Sequence, residues 1–290
     1  MSGASSVEQL RPGDHACLTF SDPEERLDIV AAFVRDGLRA GEKVICLTEA
    51  VAETVLSEEL TRRGLGVSAA TSSGRLQVAG CGPFFVPQGT FDAKRTIRSL
   101  QDEIVQARRE GFQGLRVTSD MCWALRPVSG LADLMAYESQ FTSMLAAENA
   151  TAVCQYDRQC FDTVTIATAV EAHGLTVAAV TYHDDALLRI CRQYVPPGVR
   201  VAGEIDYRAV EPLSRSLSEA LALDDHIDVN LTQLRFLDGA AAGVLIQAAL
   251  GLTGAQRMTI RCQPMACHVL DALGVRQIGG VTMVAVDDGR

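Results

Sequence analysis

Few residues in this 290-residue chain could do chemistry, and they fall in short blocks. His15 and Cys17 open the apolar run HACLTF, and residues two apart on a strand share a face. An imidazole and a thiol could serve as base and nucleophile, but side by side on one strand they have no third group to orient them. Asp120, Met121 and Trp123 end or follow the run LRVTS, Tyr137 and Glu138 fall in a helical stretch, Cys154, Tyr156 and Asp157 belong to TAVCQYD, and His173 stands near a helix end. Ligands of parallel α/β sheets sit beyond the carboxyl ends of the strands, so these blocks read as the lining of a pocket with Trp123 as an apolar wall. His15, Cys17 and Cys154 would make a His/Cys/Cys metal set, although no spacing demands it. The bland readings are small buried hydrophobes for the cysteines, a satisfied core histidine, a core tryptophan, and helix caps for Asp120 and Asp157. The expectation is ligand binding without catalytic residues, metal ligands or cofactor. Cys262, Cys267 and His268 in RCQPMACH are read as a strand followed by a helix.

A different block lies near the carboxyl end. In FLDGAAAGVLIQ, Asp238 opens a turn before an uncharged helix, and Gly239, Ala240 and Ala241 occupy its first turn. The Asp238 carboxylate can accept from N–H groups two or three residues on, and the helix end is a positive dipole terminus on which a partner could dock.

The elements that must position these residues alternate. Short strand-like runs (HACLTF, VICLT, RLQVA, LRVTS, TAVCQY, LTVAAV) are separated by helical patterns from Glu24 to Arg39, about Val51 to Arg63, Phe91 to Arg109, Leu131 to Ala147 and Cys160 to Ala172. That rhythm predicts a parallel sheet covered on both faces. Pro196, Pro197 and Gly198 form the clearest seam, which places one domain at 8–197 and a second at 198–290, after a disordered leader. The second domain reads as VRVAGE, a helix from Ala209 to Leu223, HIDVNL, the uncharged helix, RMTIRC, a helix from Met265 to Leu273, and VTMVAV.

Composition narrows the function classes. A net charge of −10 and no basic cluster argue against nucleic acid and anionic membranes as partners. The uncharged run from Gly239 to Gln256 carries three further glycines and no aromatic or basic belt, which suits a buried helix better than a membrane span. Nine cysteines without a C-x-x-C pair or framework spacing, and no signal peptide, lead us to expect a reduced cytoplasmic protein.

The residues from Gly203 to Asp206, the helix after them, the strand ending in Phe236-Leu237-Asp238-Gly239 and the small-residue helix together resemble the STAS fold of anti-sigma-factor antagonists across residues 199–287. That resemblance implies a partner that is both anti-sigma factor and HATPase-type serine kinase, with docking at Asp238, Gly239, Ala240 and Ala241. The family's phosphorylated serine falls on Ala240, which cannot accept phosphate, and Asn230 stands where the family often has an acidic residue.

The first domain has the layout of a RecA-like ATPase without its phosphate loop: the turn Ser21-Asp22-Pro23-Glu24-Glu25 offers carboxylates where phosphate would sit, and the only lysines are Lys43 and Lys94. It resembles the MEDS sensory domain through Gly13-Asp14-His15-Ala16-Cys17, Ser21 to Glu25, GLRVTSDMCW, Tyr137-Glu138, CQYDR and His173, with Asp120 where relatives commonly have Glu. This implies a sensor of small hydrocarbon derivatives. The combined expectation is a ligand-sensing adaptor that works by partner switching through a non-phosphorylatable STAS domain, with self-association left open. The alternatives are an enzyme using Cys17 with His15, or a scaffold in a signalling complex.

Overall fold

The computed structural model describes residues 4–286. The chain divides between Ala178 and Ala179 into two units with separate cores. The first runs β1 (His15–Phe20), α1 (Pro23–Arg39), β2 (Lys43–Thr48), α2 (Glu53–Arg62), α3 (Val67–Ser72), β3 (Leu76–Gly80), α4 (Cys81–Phe85), α5 (Ala93–Arg109), β4 (Leu115–Asp120), α6 (Leu134–Glu148), β5 (Thr151–Asp157), α7 (Thr163–His173) and β6 (Leu175–Val177). Its strands form one sheet in the order β3-β2-β4-β5-β1-β6, every neighbouring pair parallel. Strands covered on both faces need no polar face, which is why all of β4 is buried and β5 is buried up to Asp157. Asp22, Asp92 and Asp162 start α1, α5 and α7 by accepting first-turn N–H groups, and Gly174 ends α7 in the left-handed conformation.

Two sequence expectations change here. Residues 5–10 are ordered: Ser5 bridges to β6, and a 3-10 turn at Val7–Gln9 buries Val7. Only residues 1–3 of the expected leader lie outside the described residues. The short helices α3 and α4 were not anticipated, because the Ser/Thr-rich stretch and the Gly-Pro pair that build them carry loop signals.

The second unit runs β7 (Thr181–Asp184), β8 (Leu188–Tyr194), β9 (Pro197–Ile205), α8 (Val210–Leu223), β10 (His226–Leu237), α9 (Gly239–Leu250), β11 (Arg257–Cys262), α10 (Pro264–Ala272) and β12 (Val281–Ala285). The sheet order is β12-β11-β10-β9-β8-β7, parallel from β9 to β12 and antiparallel through β7, β8 and β9. The Pro196-Pro197 seam thus lies inside this unit, at the tight turn between β8 and β9. A proline pair reads as a boundary because it cannot donate to a ladder, and a hairpin turn needs no donor there. Cys262 and Cys267 are joined by a disulfide, a departure from the expected fully reduced chain. The turn from β11 into α10 brings their Cα atoms to 5.6 Å, a pairing that no framework spacing announces. No helix among the described residues is long and apolar enough to cross a membrane.

Gly203 holds β9 against β8 at a φ of +107°, and a Cβ there would meet the Leu187 carbonyl oxygen at 1.9 Å. Gly203→Ala should therefore destabilise the second unit by about 2–3 kcal/mol. Gly243→Ala, inside α9 with open space around its Cβ, should be neutral or stabilising by up to about 1 kcal/mol. Urea unfolding followed by far-UV circular dichroism checks both.

Candidate functional site

The two faces of the first sheet carry different polar clusters. On β1, His15, Cys17 and Thr19 face one way, and their partners across the parallel register are Ala152, Cys154 and Tyr156 of β5. This face is covered by α6 and α7. Glu138 reaches it from α6 and His173 from the last turn of α7. One ligand-type atom from each of His15, Glu138, Cys154 and His173 lies within 4.8 Å of the others, and all four residues are buried. His15 Nε2 is 3.3 Å from Cys154 Sγ and 3.6 Å from Glu138 Oε2, which is 3.7 Å from His173 Nε2 and 3.9 Å from Cys154 Sγ. The other carboxyl oxygen, Oε1, accepts from the Tyr156 hydroxyl at 2.9 Å.

The histidine tautomers follow from their outer partners. Thr142 Oγ1 donates to the Glu138 carbonyl and so accepts from His15 Nδ1 at 2.8 Å. His173 Nδ1 can only donate to the Ala169 carbonyl, at 2.7 Å. Both rings therefore carry the proton on Nδ1 and turn an Nε2 lone pair toward the cluster. That of His173 has no hydrogen-bond partner. Burial holds His15 well below the usual imidazole range, with His173 adding to the effect, and lowers His173 to about 4. Burial also raises Glu138 to about 7 against the hydrogen bonds from Tyr156 and Cys154, and pushes the Cys154 thiol well up.

This cluster joins four of the residues read as ligand-binding, with Tyr156 as support, but it sits across the sheet face. His15 is the first residue of β1, not a carboxyl-end residue. Cys17 is fully buried, and burial raises its thiol to about 12, with Glu138 adding to the effect. The expected apolar wall is filled core: the Trp123 ring stacks on Phe85 at 4.6 Å and meets Phe91 at 5.2 Å, while Tyr137 packs on Phe141. Met121 and Trp123 have no exposed surface. Asp157 accepts from the Gln159 N–H in the turn after β5. An aromatic in a sequence does not say whether its neighbours leave room beside it, and here Phe85 and Phe91 pack directly against Trp123.

At the carboxyl ends of the strands, on the α1 face, stands a residue that sequence reasoning passed over. Arg26 donates to Asp120 Oδ2 at 2.9 Å and to Gln155 Oε1 at 2.6 Å, and Gln155 donates on to Thr118. Asp120 also accepts from the N–H groups of Ala50 and Cys122. Burial pushes the Asp120 carboxyl up, but Arg26 and these N–H groups outweigh it and hold it below its ordinary range. The signal was available: Arg26 shares the stripe of Ile29, Val30 and Phe33, so its position predicts a buried charge that needs a partner. Asp22 meanwhile accepts from the N–H groups of Glu24 and Glu25, taking the anion seat at the start of α1.

In the second unit, Asp238 caps α9 and also holds the turn that leads into α8. Its Oδ1 accepts from Ala241 N at 2.8 Å and its Oδ2 from Tyr207 N at 2.8 Å. Gly239 and Ala240 are exposed, whereas Ala241 is fully buried and presents nothing to a partner. Phe236 and Tyr207 beside them are 52% and 70% exposed, large values for aromatic side chains. A surface groove of about 430 Å³ adjoins, lined by Leu187, Glu204, Asp206, Arg208 and Phe236 among others.

Residues 14–174 match the family model of the MEDS domain, the methanogen/methylotroph, DcmR sensory domain. The transcriptional repressor DcmR of Methylorubrum extorquens is 26% identical over 163 residues, which are 55% of this chain and 58% of the repressor. The chain thus spans little more than half the length of that relative. Among solved structures, a KaiC-like protein from the archaeon Pyrococcus horikoshii OT3 is similar over 63% of this chain and 78% of its own, at 13% identity and a TM-score of 0.45.

Removing Arg26 leaves the buried Asp120 without its counter-ion. Arg26→Ala should cost about 3–5 kcal/mol, read as a lower urea midpoint in the emission of Trp123, the chain's one tryptophan. The double variant Arg26→Met/Asp120→Asn should recover at least half of that loss. With the anion seat occupied by Asp22, calorimetric titration of magnesium-ATP should give no saturable heat.

Proposed function

We propose that this chain, which belongs to the MEDS sensory-domain family, is a signalling adaptor whose first unit takes a ligand and whose second unit docks a regulatory partner without phosphorylation control. The observation that carries the docking half is the Asp238-capped start of α9, where Gly239 and Ala240 are exposed between Phe236 and Tyr207 and no hydroxyl stands in the first turn. The alternation from β9 to β12 supports reading this unit as STAS-like, and an anti-sigma factor of HATPase-kinase type as its partner. The position of β1 between β5 and β6 supports a RecA-like first unit from which the phosphate loop is gone. A regulatory role also fits a relative that is a transcriptional repressor. A cytoplasmic setting goes with this reading.

Burial weighs against the enzyme alternative. A thiol held at about 12 is no nucleophile at neutral pH, and the His15 Nε2 atom that would have to activate it lies against Cys154.

The test mixes wild type and Ala240→Ser with a candidate anti-sigma kinase and ATP, and follows phosphate incorporation and complex mass. Wild type should bind and stay unmodified. Ala240→Ser should take phosphate, which adds about 1.5–2 negative charges near Asp238 and weakens the complex. Wild-type phosphorylation elsewhere that dissolves the complex would place the switch at another residue. Failure of both proteins to bind any such kinase would remove the anti-sigma partner.

A further inference from the structure

We propose that His15, Glu138, Cys154 and His173 form a closed, four-ligand site for a divalent transition metal of the zinc class, and that this ion is what the sensory unit binds. The sensing role rests on the function proposed above, but the site itself does not. Two imidazole nitrogens, a thiol and a carboxyl oxygen converge from β1, α6, β5 and α7, in a set of donors that zinc takes readily. A tetrahedral ion with bonds of about 2.0–2.3 Å spaces its ligand atoms roughly 3.3–3.8 Å apart. Four of the six separations, at 3.3, 3.6, 3.7 and 3.9 Å, approach those edges, and all six lie within 4.8 Å, so a modest inward shift of the side chains closes the tetrahedron.

The surroundings are those of ligands held in place. Thr142 and the Ala169 carbonyl fix the two Nδ1 protons and so aim both Nε2 lone pairs inward. Tyr156 holds Glu138 Oε1 and leaves Oε2 to face the nitrogens and the sulfur. A hydrogen-bonded cluster with no further occupant would have used His173 Nε2, yet that buried atom has no hydrogen-bond partner and stands 3.7 Å from Glu138 Oε2. Charge also closes: a thiolate and a carboxylate with two neutral imidazoles balance a dication, so the occupied site carries no net charge into the core. A thiol among the donors disfavours magnesium and calcium, which take oxygen. Because the ligands come from two strands and two helices, the ion would tie α6 and α7 to the sheet and bias their packing when it leaves.

The experiment strips the full-length protein with a chelator under reducing conditions, confirms by far-UV circular dichroism and Trp123 emission that it stays folded, and titrates it with Zn²⁺ and Co²⁺. One equivalent of zinc should bind, and Co²⁺ should give four-coordinate ligand-field absorption with a thiolate charge-transfer band. Cys154→Ser should abolish that band, and His173→Gln should weaken binding by more than about tenfold, while Cys160→Ser, an exposed thiol outside the cluster, changes neither. Should either cluster variant fail to fold, the wild-type titration still decides. A folded wild type that takes no stoichiometric metal overturns the site, and so does a Co²⁺ band that survives in folded Cys154→Ser but is lost in Cys262→Ser. Metal binding that leaves partner docking unchanged keeps the site and removes its sensing role. Docking that persists when no metal binds removes the site and keeps the adaptor.

Discussion

Glu138 is sealed between α6 and the sheet with none of its side chain exposed, and the arrangement around it follows from what a carboxyl group requires there. A buried carboxylate is costly unless hydrogen bonds and counter-charge compensate it, and a neutral carboxyl still needs partners for its oxygens. The chain answers one oxygen with the Tyr156 hydroxyl, and sets the Cys154 thiol and the Nε2 atoms of His15 and His173 around the other. The Gly174 stop ends α7 at His173, the β1–β5 register puts His15 on the same face as Cys154 and diagonal to it, and the Thr142 hydroxyl stands one helical turn beyond Glu138. Burial raises the Glu138 pKa toward neutrality against the hydrogen bonds from Tyr156 and Cys154.

The opposite face of the same sheet shows the other way of burying charge. There Arg26 pairs with Asp120, Gln155 links Arg26 to Thr118, and the N–H groups of Ala50 and Cys122 answer the Asp120 carboxylate. Carboxyl-end crevices in parallel sheets commonly receive ligands, but here the chain's own guanidinium fills the crevice and its own Asp22 carboxylate takes the helix terminus. In the cluster under α6 and α7, by contrast, the lone pair of His173 Nε2 has no hydrogen-bond partner.

Much of this could be read from the sequence, within physical limits. The alternation of strands and helices gave the parallel sheet, because apolar runs of strand length between amphipathic helices have few other solutions. His15, Glu138, Cys154 and His173 were all singled out as site residues, but nothing in their spacing reveals that they meet, since contact across β1, β5, α6 and α7 depends on strand register and helix rotation. Trp123 and Cys17 were assigned to the same pocket for their chemistry and proved to be core, because packing density around a side chain is a tertiary property. Arg26 went unread although its helical phase marked it as buried. The strands β7 and β8 were hidden by their charged residues and by a proline pair that looks like a boundary and builds a hairpin turn.

X-ray absorption at the zinc edge of the purified, zinc-loaded full-length chain tests the central claim most directly, because it counts the atoms around the ion. The account predicts a single sulfur at about 2.3 Å and three lighter ligands at about 2.0–2.2 Å, with imidazole scattering from two rings. A shell of nitrogen and oxygen alone, or one with two or more sulfurs, would contradict it.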